Sequence, residues 1–140
     1  MNILLTGASR GIGKAAADAL TAAGHHVLGT STTGGDGLIA ADFANPAAAT
    51  ACWDAALAQT GRIDVLVNNA GVYEGIADDA PEAEWHAAWA RTMQVNLQAA
   101  ADLCRHAIAH FRANGGGRIV NVASRAGYRG DSPRHWHYAA

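Results

Sequence analysis

Two hydroxyl side chains near the end of the chain have the chemistry to handle a proton. Ser124 follows the apolar run 119–122, and Tyr138 lies 14 positions further on. A serine hydroxyl can hydrogen-bond a developing alkoxide, and a tyrosine phenol can supply its proton. Each residue also has an ordinary explanation, since serine is common in turns and tyrosine in packing. The pair is therefore a candidate for acid–base chemistry that needs support from elsewhere in the chain.

A glycine-rich segment near the N-terminus could hold a phosphorylated ligand. It reads Thr-Gly-Ala-Ser-Arg-Gly-Ile-Gly over residues 6–13, between a short apolar run and an alanine-rich stretch. Glycines at a strand-to-helix turn let backbone N–H groups approach a pyrophosphate at the helix N-terminus. A sharp turn without a ligand is the alternative. The candidate residues are Gly7, Ser9, Arg10, Gly11, Ile12 and Gly13.

Asparagines occupy two further positions of interest. Asn68-Asn69-Ala70-Gly71 directly follows the apolar run 63–67, at the carboxyl edge where parallel sheets bind ligands, although an asparagine pair is also a turn signal. Asn96 falls within an apolar helical stripe that extends from Trp89 to Phe111. Burying an unpartnered amide costs roughly 1–3 kcal/mol. We therefore expect Asn96 to hold a hydrogen bond, either a local structural one or one leading toward an active site.

Strands and helices alternate among the elements that must position these residues. Short apolar runs predict five strands at Ile3–Thr6, Val27–Thr30, Leu38–Ala41, Ile63–Val67 and Ile119–Val122. Such alternation predicts an open α/β fold with a mostly parallel sheet covered on both faces. The segment Ser31–Gly37 is too short and too rich in glycine for a crossover helix, and predicts a tight connection.

Capping signals delimit the predicted helices. The first is followed by Gly24 as a C-terminal cap. The second has Asn45 as N-cap and Pro46 as its first residue, and Gly61 closes it. The third opens at Pro81 in the same way. These signals, with no linker between them, predict one domain over residues 1–140.

Composition and charge limit which kinds of partner the chain is expected to bind. The formal net charge is −2 and only 16% of residues are charged, so no basic stripe for nucleic acid or anionic lipid is present. Cys52 and Cys104 both fall in helix-like segments and predict buried thiols rather than a disulfide. The N-terminus has no signal-peptide pattern, which argues for a cytoplasmic protein.

Taken in order, the glycine turn, the Asn-Asn-Ala-Gly run, Asn96, Ser124 and Tyr138 resemble the short-chain dehydrogenase/reductase family over nearly the whole chain. The resemblance implies a Rossmann-type, doubly wound parallel sheet in three α/β/α layers, with the C-terminal strands and helices missing. It also implies an NAD(P)-dependent oxidoreductase that moves hydride between a nicotinamide cofactor and a carbonyl or alcohol.

The same resemblance implies roles for individual residues. Tyr138 would be the acid/base, Ser124 would hold the substrate oxygen, and Asn96 would anchor a water in a proton relay. The three glycines of the turn would border the cofactor. Asn69, Ala70 and Gly71 would lie along its adenosine side.

One departure concerns the family's lysine, which stands four residues after the tyrosine. This chain ends at Ala140, two residues after Tyr138, and Lys14 is its only lysine. In the family that lysine binds the nicotinamide ribose and lowers the tyrosine pKa from about 10. We therefore expect a fragment of a longer enzyme. A non-catalytic or degenerate nucleotide-binding protein is the alternative.

The residues after the second strand bear on the choice of cofactor. Thr30 begins the run Thr-Ser-Thr-Thr, with no acidic residue before Asp36 to hold the ribose 2′-hydroxyl of NAD. Arg10 could bind the 2′-phosphate of NADP instead. The pattern favours NADP(H), with NAD(H) as the alternative. By resemblance, Asp42 and Phe43 would contact the cofactor near its adenine, while helix capping is the ordinary role for Asp42.

The remaining features predict little specific chemistry. His106 and His110 are one helical turn apart, are expected to point away from the apolar stripe, and lack a third ligand, so we expect no metal. The segment His135–His137 would line a substrate pocket or form a mobile loop. A small carbonyl or alcohol is the expected partner, and full-length relatives would pair into homodimers or homotetramers through the helix at 89–111.

Overall fold

A five-stranded parallel sheet forms the centre of the computed structural model, which describes residues 1–140. The strands lie in the order β3-β2-β1-β4-β5, and each neighbouring pair is parallel. Their bounds are β1 Asn2–Leu5, β2 His26–Ser31, β3 Ile39–Ala40, β4 Val65–Asn68 and β5 Arg118–Asn121. All five predicted strands are confirmed within two residues. β4 begins after Ile63 because the Ile63 N–H donates to the His110 imidazole at 3.2 Å rather than to a neighbouring strand.

Helices cover both faces of this sheet. They are α1 Gly11–Ala22, α2 Ala48–Thr60, α3 Glu82–Met93, α4 Ala99–Ala113, α5 Ala126–Arg129 and α6 Trp136–Ala139. Right-handed crossovers place α1 on one face, because the chain moves from β1 outward to β2, and place α2 and α4 on the other, where it returns. This is the expected doubly wound arrangement. None of the helices combines the length and apolar content needed to cross a bilayer.

The main hydrophobic core lies between the sheet and the layer formed by α2 and α4. Leu4 and Leu66 from the central strands contact this layer, and Leu103 of α4 is fully buried against them. Ala56 and Ala107 are also fully buried, and their small side chains allow α2 and α4 to approach closely. Burying one leucine side chain contributes about 1.5–3 kcal/mol. This packing holds β1 and β4 rigidly side by side.

The start of α2 corrects one prediction. The helix begins at Ala48, and Ala47 is its N-cap. The side chain of Asn45 instead accepts a hydrogen bond from the Ala47 N–H at 3.0 Å, forming a local turn with Pro46 inside it. Asparagine competes with the helix by such local bonds. At the other end, Gly61 closes α2 with a left-handed φ of 66°, as predicted.

The long helix predicted through Asn96 is interrupted. A π-helical turn, Gln94–Gln98, separates α3 from α4. The wider turn changes the helical phase, so Leu97 and Ile108 of the predicted apolar stripe are 61% and 43% exposed. The residues that are buried instead lie every four positions, at Val95, Ala99, Leu103, Ala107 and Phe111.

One connection near the site is predicted from the sequence, and two short helices near it are not. The tight connection Ser31–Gly37 is confirmed, with Asp36 in the left-handed region at φ 51° between β2 and β3. The short helices α5 and α6 are not predicted. Helix α6 packs on α3, where Trp136 contacts Trp85 edge-on with ring centroids 5.6 Å apart.

Candidate active site

The crevice between β1 and β4 is where the strand order reverses, and the segments after these two strands meet there. Thr6 joins them, because its hydroxyl accepts hydrogen bonds from the Asn69 and Ala70 N–H groups, both at 2.9 Å. In return, Asn69 Nδ2 donates to the carbonyls of Thr6 at 3.0 Å and Gly7 at 3.1 Å. The Asn69 amide therefore braces the glycine turn. This bracing role was not predicted.

Two glycines of the turn leave no room for a side chain. A Cβ on Gly13 would lie 2.0 Å from the Gly7 carbonyl oxygen, and one on Gly7 would lie 2.9 Å from Ala70 Cα. Gly7 also has a left-handed φ of 68°. Thr30 supports the turn from β2, since its Oγ1 accepts the Gly7 N–H at 3.2 Å and its carbonyl accepts the Ala8 N–H at 2.7 Å.

The start of α1 carries free hydrogen-bond donors. The N–H groups of Gly11, Ile12 and Gly13 make no hydrogen bond within the chain, and the N-cap residue Arg10 supplies no side-chain cap. Open space faces Gly11. Unpaired N–H groups and the helix dipole favour an anion at this point. The residues present therefore fit the pyrophosphate of a dinucleotide.

A cleft of about 400 Å³ runs along this surface. It is lined by all twelve residues that the sequence marks as cofactor-binding, namely Gly7, Ser9, Arg10, Gly11, Ile12, Gly13, Thr30, Asp42, Phe43, Asn69, Ala70 and Gly71. Seven further lining residues are not predicted: Ser31, Thr32, Ala41, Val72, Glu74, Arg91 and Val95. Asp42 Oδ1 also accepts the Ala44 N–H at 3.1 Å, which forms a local turn and not a helix cap, because α2 begins at Ala48.

A second cavity of about 480 Å³ adjoins the cleft and contains the three predicted catalytic residues, Asn96, Ser124 and Tyr138. The two depressions share Ile12 and the run from Asn69 to Val72. The two depressions are therefore direct neighbours, and Ser124 and Tyr138 lie in the one next to the cleft.

Asn96 holds the loop that follows β4. Its Oδ1 accepts the Val72 N–H at 2.8 Å, and its Nδ2 donates to the Val72 carbonyl at 3.0 Å. This pair satisfies the amide with a partner 24 residues away that lines both depressions, so the bond is structural but not local along the chain. An amide has two donor hydrogens and two acceptor lone pairs, so each atom keeps capacity for another partner in the cavity.

The two hydroxyl residues lie on short, separate elements. Ser124 is exposed, and its Oγ accepts the Ala126 N–H at 3.1 Å where α5 begins. Tyr138 is half-buried in α6, with its ring edge-on to Tyr73 at a centroid distance of 4.7 Å. His137 next to it is buried against Trp89 and lines the cavity. Of the segment His135–His137, only His137 lines this cavity.

Charges lie at the other end of the cleft. A neighbouring depression is lined by Arg10, Thr32 and Thr33 and by the acidic residues Asp18 and Asp36. Lys14 is tied to Asp18 by an ion pair of 2.7 Å. The Arg10 guanidinium, by contrast, makes no ion pair or hydrogen bond within the chain.

The histidine pair on α4 packs against α2. His106 stacks on Trp53 with ring centroids 6.1 Å apart, and its Nε2 lies 3.0 Å from Thr50 Oγ1. His110 meets the edge of the same tryptophan at 5.7 Å. The expectation that the two histidines point away from the packed side of the helix is therefore wrong. Nearby Cys52 is buried, and burial raises its pKa to about 12.

Comparison with known proteins agrees with this geometry. The family model described as short chain dehydrogenase matches residues 1–140. The chain is 35% identical to cis-4-hydroxycyclohexanecarboxylate dehydrogenase of Sinomonas cyclohexanicum, over 92% of this chain and 57% of that protein. It is 37% identical to D-threitol dehydrogenase of Mycolicibacterium smegmatis, over 88% of this chain and 52% of that protein.

A solved structure shares the fold. The 3-ketoacyl-(acyl-carrier-protein) reductase of Brucella melitensis, complexed with NADH, superposes with a TM-score of 0.82 at 30% identity, over 99% of this chain and 63% of that one. The chain spans little more than half the length of the two dehydrogenases above. Its match to the family model nevertheless covers every residue, and the chain belongs to the short chain dehydrogenase family.

Proposed function

We propose that this chain forms the cofactor-binding and proton-transfer part of an NAD(P)-dependent oxidoreductase that interconverts a carbonyl and an alcohol, with NADP(H) preferred. One observation carries the proposal: the cleft at the start of α1 shares Ile12 and the run 69–72 with the cavity that contains Ser124 and Tyr138. Membership of the short chain dehydrogenase family supports the same reaction class.

Different groups of residues along the cleft would bind different parts of the cofactor. The free N–H groups of Gly11–Gly13 would hold the pyrophosphate. Asp42, Phe43 and the run Asn69–Gly71 would border the adenosine side, and Ile12 would lie toward the cavity, which it also lines. When bound, the nicotinamide supplies a hydride for reduction or accepts one for oxidation.

Proton transfer would belong to Tyr138. In reduction the phenol gives its proton to the substrate oxygen while the carbon receives the hydride, which yields an alcohol and leaves Tyr138 as phenolate. Ser124 donates a hydrogen bond to the same oxygen as its negative charge develops. A water held by the remaining capacity of the Asn96 amide would return a proton to the phenolate. Oxidation runs through the same steps in reverse.

The preference for NADP(H) rests on Arg10. Its guanidinium has no partner within the chain, and it lies beside Thr32 and Ser31 at the end of β2. Guanidinium pairs with phosphate through parallel, charge-assisted hydrogen bonds. The acidic residue that would favour NAD at the end of β2 is replaced here by hydroxyl side chains.

An Arg10→Ala variant tests this preference by fluorescence titration with NADPH and NADH. A hydrogen bond to a charged group contributes about 1.5–3 kcal/mol, so NADPH binding should weaken roughly 10- to 100-fold. NADH binding should change little, because it has no 2′-phosphate. Arg112→Ala removes the same charge from exposed α4 and is the matched control. Tighter binding of NADH than of NADPH to the wild type would refute the preference.

Turnover tests the reaction itself. NADPH oxidation would be followed with a panel of ketones and aldehydes, in this chain and in a version extended to the length of its relatives. Tyr138→Phe and Ser124→Ala should each lower turnover about 10²- to 10⁴-fold while NADPH binding is retained. NADPH binding without turnover in both forms would favour the non-catalytic, nucleotide-binding alternative.

Self-association is part of the proposal. The family resemblance implies pairing through the segment 89–111, and Ile108 on this segment is 43% exposed. Leu97, which is also exposed, lines the cavity that contains Tyr138, so its exposure does not indicate an interface. Sedimentation of the extended protein should show a dimer or tetramer, and a monodisperse monomer would contradict it.

A further inference from the structure

Tyr73 is an unpredicted aromatic residue that contacts the candidate acid/base directly. It lies in the loop after β4 and lines the same cavity as Tyr138. One face of its ring stacks on His135, with centroids 4.0 Å apart and an interplanar angle of 7°. Tyr138 meets the same ring at 4.7 Å and 78°, which is the edge-to-face geometry that aromatic pairs prefer.

The hydroxyl of Tyr73, a residue that is 56% exposed, also has a partner in the same segment. It donates a hydrogen bond to Asp131 Oδ1 at 3.1 Å. The same carboxylate oxygen accepts the Ser132 N–H at 2.7 Å, and Ser132 Oγ lies 2.8 Å from His135 Nδ1. Tyr73 is thus bound through ring and hydroxyl to the segment that carries Tyr138.

A backbone hydrogen bond joins the same two segments. The Ile76 N–H donates to the Arg134 carbonyl at 2.9 Å. The loop after β4 is itself held by Asn96 through Val72, so its position is set by the π-helical turn between α3 and α4. A chain of contacts therefore runs from the helical layer through this loop to Tyr138.

We propose that Tyr73 is a positioning residue for Tyr138: its ring sets the orientation of the Tyr138 phenol, and its own hydroxyl takes no part in proton transfer because Asp131 holds it. The inference rests on the proposed role of Tyr138 as the acid/base.

The elements around Tyr138 explain why such a support is needed. Helix α6 has only four residues, and so short a helix is not stable without packing. The direction of the Tyr138 side chain therefore depends on what its ring touches. Misplacing a reacting group by about 1 Å can lower the rate by roughly 100-fold.

The groups around Tyr73 shift the pKa of its phenol and of its hydrogen-bond partner. The rings packed on Tyr73, followed by its hydrogen bond to Asp131, raise the pKa of Tyr73. The Ser132 N–H lowers the pKa of Asp131, which keeps that acceptor ionised. The titratable groups that face Tyr73 are Asp131, His135 and Tyr138. Both effects keep Tyr73 as a neutral phenol that donates a hydrogen bond to Asp131.

The small number of tyrosines makes a direct test feasible. Tyr128, the only other one, is 95% exposed and serves as the control site. In this 140-residue chain with labelled tyrosines, NMR would follow the Hα–Hβ coupling signals of Tyr138 in three variants: Tyr128→Phe, Tyr73→Phe and Tyr73→Leu. These couplings report the side-chain rotamer of Tyr138 and do not depend on the ring current of Tyr73. We expect the Tyr138 couplings to stay unchanged in the first two and to move toward unfolded-chain values in Tyr73→Leu. Unchanged couplings in folded Tyr73→Leu would overturn the proposal.

A urea titration of each variant shows whether it is folded. If Tyr73→Leu does not fold, His135→Ala takes its place, because it removes only the ring stacked behind Tyr73. The same change in the Tyr138 couplings is expected. Their persistence in folded His135→Ala would then overturn the proposal.

Kinetics in a form that turns over separates positioning from proton transfer. Tyr73→Leu should lower kcat about 100-fold with little change in the Kd for NADPH, while Tyr73→Phe should lower kcat less than about ten-fold. A 100-fold loss in Tyr73→Phe with undisturbed Tyr138 couplings would show that the Tyr73 hydroxyl transfers the proton, and would refute the inference. If no form turns over any substrate, the proposed function fails. The NMR measurement then still tests whether Tyr73 orients the Tyr138 ring.

Discussion

Replacing Gly13 by alanine should damage the site more than its single added methyl group implies. The new Cβ would lie 2.0 Å from the Gly7 carbonyl oxygen and 2.5 Å from Asn69 Nδ2. Contacts of this kind are not found below 3.0 Å, so the first pair must separate by at least 1.0 Å. Both clashing groups belong to the brace between the glycine turn and β4. The change should therefore disturb two segments together.

The expected loss of stability follows from these contacts. Shifting backbone in a packed region costs about 1–3 kcal/mol, and the two Asn69 hydrogen bonds to Thr6 and Gly7 contribute about 1 kcal/mol each. Alanine recovers about 1 kcal/mol through its higher helix propensity. The free energy of unfolding should fall by about 3 kcal/mol.

Urea unfolding followed by circular dichroism measures this loss. With a slope of about 2 kcal/mol per molar, the midpoint should fall by about 1.5 M. Gly127→Ala is the matched control, because its Cβ would meet only the Ala139 carbonyl oxygen, at 3.6 Å. That variant should be as stable as the wild type or slightly more stable.

A double variant sharpens the test. In Asn69→Ala one of the two clashing groups is gone, so adding Gly13→Ala to it should cost less than in the wild type. Strictly additive losses would show that the clash with Asn69 is unimportant. An unchanged midpoint in Gly13→Ala would refute the reasoning altogether.

Two further predictions concern titratable groups. Cys52 should not react with a thiol reagent at about pH 8 until the chain unfolds, because a pKa of about 12 leaves roughly one thiol in ten thousand ionised; a Cys104→Ser variant isolates its signal, and rapid labelling without denaturant would contradict the buried position. The hydrogen bond from the Asn2 N–H, followed by that from Arg62, lowers the pKa of Asp64, so its stabilising effect is present above about pH 3.9 and is lost as pH falls through the lowered value. Asp64→Asn should therefore be about 1 kcal/mol less stable near neutral pH but approach the wild type in acid, whereas Asp54→Asn, at an exposed position, should match the wild type throughout. An equal deficit for Asp64→Asn at every pH would disprove this account.

The sequence predicts the cleft well because its signals are local. Glycine positions, helix caps and apolar runs report backbone conformation within a few residues. Parallel strands then bring the segments after β1 and β4 to one edge without further information. For this reason the predicted residues that follow β1 and β4 lie together in the cleft, whereas Asp42 and Phe43 were predicted from the family resemblance.

The hydrogen-bond partners of side chains are not predicted by such local signals. The position of Asn96 on an apolar stripe indicates that it needs a hydrogen bond, but its partner Val72 is 24 residues away and has no distinguishing side chain. The π-helical turn that places Asn96 there has no local sequence signal that we recognise. The same turn changes the helical phase, which is why the exposure of Leu97 and Ile108 was not predicted.

By itself, the sequence determined the class of fold, the order of its elements and the chemistry available at one edge of the sheet, because backbone preferences and periodicity act over short distances along the chain. Only the tertiary structure decided that Asn69 braces the glycine turn and that Tyr73 lies between Asp131 and Tyr138. Tyr73 and Asp131 are 58 residues apart, and nothing in either segment specifies the other. Such contacts arise only when packing of the whole domain brings the segments together.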